Sequence, residues 1–83
     1  MDNTETIIAT LCESCLSKRE HSGATSIEES LRLALQALNG GNLIGMHFLF
    51  NSALKRLIDM GGCPSCVNNL QKYKRRMDEI TGL

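Results

Sequence analysis

The chain has 83 residues, with nine basic and nine acidic side chains, a net charge of zero, and four cysteines. That length suits one domain over residues 1–83 and leaves only a modest core to offset chain entropy, so a staple is expected: a metal, a disulfide or a subunit partner. Zero net charge gives no global pull toward nucleic acid. No apolar run reaches the roughly 18 residues of a membrane span; the longest, residues 43–50, is interrupted by Gly45 and His47.

The first residues, Met1-Asp2-Asn3-Thr4-Glu5-Thr6, are acidic where a secretory leader is basic. The compartment expected from this is the reducing cytoplasm, where cysteine pairs more often hold metal or do redox chemistry than form structural disulfides. Charge is uneven along the chain. Asp2, Glu5, Glu13, Glu20, Glu28 and Glu29 outweigh Lys18 and Arg19 in residues 1–30, about −4, and residues 31–83 carry about +4. Mutual attraction of the halves and a basic face near the C-terminus both account for that.

Helices are read throughout. Alternating apolar and polar runs are absent, valine is nearly absent and aromatics are few, all of which disfavour sheet. A first helix is expected over residues 4–18, capped by Asn3 or Thr4, with Glu5 at its positive end and Ile7, Ile8, Leu11, Cys12, Cys15 and Leu16 at helical spacing. Residues 20–25, with Gly23, form a loop. Ser26-Ile27-Glu28-Glu29 is a capping box that starts a second helix, striped by Ile27, Leu31, Ala34, Leu35 and Leu38 and ended by Asn39-Gly40-Gly41.

A third helix is expected over residues 42–60. Leu43, Met46, Phe50, Leu54, Leu57 and Ile58 line one face, and Ile44, Phe48, Leu49 and Ala53 widen it. A helix apolar on more than one side is central or sits in an interface. Gly61-Gly62 stops it. The fourth helix starts at Cys63-Pro64, because proline suits a first helical turn. Val67, Leu70, Tyr73, Met77 and Ile80 form its stripe, and Thr81-Gly82-Leu83 is expected to fray.

Two Cys-x-x-Cys pairs stand out, Cys12 with Cys15 and Cys63 with Cys66. Zinc takes four ligands in a tetrahedron, and a two-residue gap lets both sulfurs of a pair reach one ion. Within a helix, positions three apart share a face. Cys63 as N-cap and Cys66 in the first turn put two sulfurs where backbone N–H groups stabilise thiolate. The spacer between the pairs is longer than in compact zinc fingers. It fits a clasp tying the end of the first helix to the start of the fourth. The segment Cys63-Pro64-Ser65-Cys66 also resembles the active turn of thioredoxin-like proteins, which implies a redox role; that turn follows a strand, and none is read before Cys63. Buried free thiols and disulfides are the remaining readings.

The expectation is thus an all-α, four-helix domain clasped by one zinc on Cys12, Cys15, Cys63 and Cys66. A closed shell of four thiolates leaves no open position for catalysis, and no Ser/His/Asp arrangement or phosphate-cradling loop is present, so no enzyme is expected. His21 is expected in an exposed loop, with a ligand role as its alternative, and His47 as a partly buried, hydrogen-bonded side chain. Met46, Phe48, Leu49 and Phe50 crowd one turn and suggest a docking surface for a partner protein or a homodimer. The first functional expectation is therefore a small regulatory interaction module. A second is nucleic-acid binding through Lys72, Lys74, Arg75 and Arg76, with Tyr73 available for stacking. A third is sequestration of a small ligand near His47 or between subunits.

Overall fold

The computed structural model describes residues 7–82. Among the described residues there are helices and turns and no strand. After helical residues 7–9 come α1 (Glu13–Leu16), α2 (Ile27–Asn39), α3 (Leu43–Asp59) and α4 (Pro64–Thr81). The expected caps Asn3 and Thr4, and Glu5, lie outside the described residues.

The first helix is not the continuous rod that its apolar spacing suggests. Thr10 ends it: its amide and its hydroxyl both donate to the Ile7 carbonyl, at 3.1 and 2.7 Å, and the Leu11 amide turns back to Ile8 at 3.2 Å. A threonine that satisfies a nearby carbonyl competes with helix propagation. Cys12 is then extended, with φ −74° and ψ 153°, and it is the N-cap of the four-residue α1. Periodicity could not show this break, because Leu11, Cys12, Cys15 and Leu16 keep helical spacing on both sides of it.

Helix α2 begins as the capping box requires. The Ser26 hydroxyl accepts from the Glu29 amide at 3.2 Å, and the Glu29 carboxylate accepts from the Ser26 amide at 3.1 Å. Hydrogen bonding from the Ser26 backbone, and then from the Ser26 side chain, holds the Glu29 carboxyl below its ordinary range, with help from Arg19. The Ile27 amide also donates to the Lys18 carbonyl at 3.0 Å and closes the intervening loop at its base. Gly41, at φ +82°, turns the chain into α3, a backbone conformation that glycine adopts without steric cost. The Asn42 side chain caps α3 by accepting from the Gly45 amide at 2.9 Å.

Helices α2 and α3 pack most extensively, α4 lies against α3, and α1 touches α2. Ile27, Leu31 and Ala34 of α2 meet Met46, Phe50, Ala53, Leu54 and Leu57 of α3 in one apolar cluster, which Ile7, Ile8, Leu11, Cys15, Cys66, Leu70 and Met77 complete. Leu43 and Ile58 were expected on that face of α3 and are exposed at 39% and 49%. They flank the stripe made by positions 46, 50, 53, 54 and 57, which is the arc facing α2 and α4. At the far end, α4 stays helical through Thr81, where fraying was expected, and Gly82 closes it at φ +73° by donating to Asp78 at 2.9 Å.

Arg56 ties α3 to the loop before α2. Its Nε donates to Glu20 at 2.6 Å and its Nη1 to the Ser30 hydroxyl at 2.7 Å, while Nη2 donates to the Thr25 carbonyl. Attraction between the acidic and basic halves of the chain is realised in this contact.

Candidate metal centre

The two Cys-x-x-Cys pairs arrive at the same place by the same local structure. Cys63, at φ −67° and ψ 147°, is the N-cap of α4, just as Cys12 is the N-cap of α1. In each, the carbonyl of the first cysteine accepts the first helical hydrogen bond, from Leu16 at 3.0 Å and from Val67 at 3.1 Å. The second cysteine then lies three residues on, with its sulfur on the same side. Cys12 and Cys15 therefore sit at the start of a new helix, where the sequence had placed them at the end of a long one.

Gly61 and Gly62 set the approach of Cys63. Gly61 is at φ +75°. A Cβ on Gly62 would lie 2.4 Å from Leu57 Cδ1, so only glycine lets the chain pass this close to a fully buried leucine.

The four sulfurs converge, all within 4.8 Å of one another. Cys12 lies 3.9 Å from Cys63 and 3.6 Å from Cys66, and Cys15 lies 3.7 Å from Cys63. A tetrahedron built on metal–sulfur bonds of about 2.3 Å has edges of roughly 3.8 Å, and these separations bracket that value. The four side chains could hold a metal ion as they stand.

The surroundings divide the sulfurs into two kinds. Cys15 and Cys66 are 1% and 2% exposed, whereas Cys63 is half-buried and Cys12 is exposed. The two buried sulfurs accept backbone amides from the opposite pair: Cys63 N–H to Cys15 at 3.4 Å and Cys12 N–H to Cys66 at 3.3 Å. Burial pushes the Cys66 thiol up to about 12 and raises that of Cys15. Hydrogen bonding from the Cys15 backbone, and then from the Cys15 and Cys66 side chains, lowers Cys12 to about 7.

Neither histidine joins the sulfurs. His21 is exposed, and its Nδ1 accepts the Gly23 amide at 3.2 Å within its own loop. His47 Nε2 lies 3.1 Å from Asp78 Oδ1, and Lys74 Nζ lies 3.2 Å from Oδ2 of the same carboxylate. The crevice beside this trio, walled by Met46, Phe50, Asn51 and Met77, is too narrow to admit a water molecule.

The expected docking residues are split by the fold. Met46 and Phe50 are 1% and 2% exposed and belong to the core, so these two are corrected from surface to interior, while Leu49 is half-buried against it. Phe48 is 72% exposed, and Ile44, one helical turn before it, is 76% exposed. The spacing of 44 and 48 carried that signal, but a helix with apolar side chains on several faces does not say which face its neighbours cover.

The basic residues of α4 are also distributed unevenly. Lys74 is engaged by Asp78, while Lys72, Arg75 and Arg76 are exposed. The Arg76 guanidinium stands over the Tyr73 ring at 5.8 Å, a cation–π contact. Asn69, Lys72, Tyr73 and Arg76 line an open cleft of about 180 Å³, and Asn69 Nδ2 reaches back to the Thr10 carbonyl at 3.1 Å.

No helix of the described residues is long and apolar enough to cross a membrane. Comparison with known proteins returns no relative: no family model, curated protein or solved structure matches this chain.

Proposed function

We propose that the chain is a non-catalytic interaction module of the cytoplasm, folded around one structural zinc ion and docking on a partner protein through Ile44 and Phe48. The convergence of four sulfurs within 4.8 Å, three of their separations close to a tetrahedral edge, supports the metal, and zinc is the ion that four thiolates suit best. All four ligand positions are then filled by protein, so the metal serves the fold and not a substrate. The observation that carries the docking reading is the pair Ile44 and Phe48, 76% and 72% exposed on successive turns of α3. Aromatic and aliphatic anchors of this kind dominate binding energy where a pocket receives them.

Comparing wild type with the Ile44→Lys, Phe48→Lys double variant tests this reading. Sedimentation velocity over a concentration range decides whether the partner is a second copy. Affinity purification with both forms, followed by binding measurements on the purified candidate, decides for a different protein. Binding that the variant loses, with its melting curve unchanged, supports the reading; indistinguishable behaviour of the two forms overturns it.

Nucleic-acid binding is the second reading, supported by Lys72, Arg75 and Arg76 standing exposed around Tyr73. It requires retention of single-stranded RNA or DNA at low salt that weakens steeply as salt rises. Loss of that retention in Arg75→Ala, Arg76→Ala supports it, and no retention at low salt ends it.

A further inference from the structure

The four cysteines are equivalent as ligands and unequal as nucleophiles. Cys15 and Cys66 are sealed at 1% and 2% exposure, and each sulfur accepts a backbone amide from the opposite pair. Cys63 is half-buried, and Cys12 alone is exposed. A zinc ion held by four thiolates leaves the cluster with two negative charges, so its sulfurs keep electron density that a neutral thiol lacks. Access then decides which of them reacts. The clasp is closed on its inner side by the core and open on the side where Cys12 stands.

We propose that Cys12 is the reactive thiolate of the metallated cluster, the position at which soft electrophiles of the α,β-unsaturated carbonyl class modify this protein. The inference rests on the zinc reading given above. The Cys12 sulfur adds to the β-carbon of the electrophile, forming a carbon–sulfur bond. The electrons of the C=C bond move to the carbonyl as an enolate, which then takes a proton from water. No oxidant or reductant is needed. The product is a thioether, a far weaker ligand than thiolate, so the metal is left with three thiolates and one labile position. Zinc becomes easier to remove after the first adduct, and an alkylation event on the surface becomes a loosening of the tie between α1 and α4.

N-ethylmaleimide is the probe, used below one equivalent on the whole protein after its metal content has been measured. Peptide mapping reads the position of the first adduct, and a chromogenic chelator reads zinc release. The first adduct is expected at Cys12 at least about tenfold faster than at Cys15 or Cys66, with zinc release from singly modified protein faster than from unmodified protein. In Cys12→Ser that still carries one zinc per chain, the first adduct should shift to Cys63 and slow. Equal labelling of the four cysteines in protein carrying one zinc, or first labelling at Cys15 or Cys66, overturns the assignment and leaves the zinc site standing. An unchanged labelling rate in Cys12→Ser with one zinc bound also overturns it. Absence of bound metal before labelling removes the zinc reading and this inference together.

Discussion

The backbone amide of Cys12 points at the sulfur of Cys66 from 3.3 Å away, across 54 residues of sequence. The reverse arrangement, Cys63 amide to Cys15 sulfur at 3.4 Å, accompanies it. Each pair thus supplies a donor to the buried sulfur of the other, and the two halves of the site complete one another even before a metal is considered. Structural zinc contributes on the order of 10–16 kcal/mol in small finger peptides near neutral pH, comparable with the whole net stability of a small domain. Cys15→Ser and Cys66→Ser are therefore expected to abolish the cooperative thermal transition seen by circular dichroism in the presence of zinc. A sharp transition within a few degrees of wild type in either variant would contradict this.

Metal affinity should rise with pH. Burial raises Cys15 and takes Cys66 to about 12, so both are protonated at neutral pH in the metal-free chain. Binding expels those protons, and each proton released makes affinity rise about tenfold per pH unit. The buried pair alone predicts a change of roughly a hundredfold per unit below pH 8, and Cys12, at about 7, adds to it at the acidic end of that window. Competition against a chelator of known pH dependence measures the slope; a flat profile between about pH 6 and 8 counts against thiol ligation.

Arg56 is expected to matter more than any other surface charge. It serves Glu20, Ser30 and the Thr25 carbonyl with a side chain that is 19% exposed, and Ser30 is buried at 5%. Arg56→Ala leaves a buried hydroxyl and a carbonyl without that donor, at a cost of about 2 kcal/mol. Glu20, 54% exposed, contributes below about 1 kcal/mol when removed alone. Lysine cannot reproduce a three-way fork, so Arg56→Lys should recover only part of the loss. Urea denaturation of the three variants gives the ranking, and a Glu20→Ala effect as large as that of Arg56→Ala would reverse it.

Two backbone devices can be tested in the same way. Ser26→Ala removes the oxygen that caps α2 and should lower stability by about 1 kcal/mol. Gly62→Ala places a methyl 2.4 Å from the buried Leu57 side chain; moving that side chain in a packed core costs about 1–3 kcal/mol. The same shift displaces Cys63, so Gly62→Ala should also weaken zinc binding while Ser26→Ala should not. Equal zinc affinity in the two variants would separate the Gly61-Gly62 turn from the site.

Much of this was readable from residue types alone. Ser26 and Glu29 announced α2, Gly40-Gly41 and Gly61-Gly62 marked the turns, and Cys63-Pro64 marked the start of α4, because caps and turns are written in local chemistry. The four sulfurs could be assigned to one site by the same reasoning, since a pair of thiols needs another pair to close a tetrahedron. The break at Thr10 was hidden, because a residue that ends a helix by bonding backward leaves the apolar spacing intact.

The division of α3 was hidden for a different reason. Met46, Phe48, Leu49 and Phe50 are alike in composition, and only the positions of α2 and α4 decide that Phe48 faces outward while Met46 and Phe50 are core. Arg56 and Asp78 were opaque too. A polar contact formed across the fold, such as Arg56 to Glu20 or His47 to Asp78, has no periodic signature, unlike the neighbouring charges Lys74 and Asp78 four residues apart on one helix.

Metal analysis of the purified chain joined to a chelator melt tests the central claim most directly. One zinc per chain is expected, and its removal should abolish the unfolding transition or lower its midpoint by tens of degrees, with recovery on adding zinc back. A chain that purifies under reducing conditions without metal, or that melts identically with and without chelator, would contradict the account.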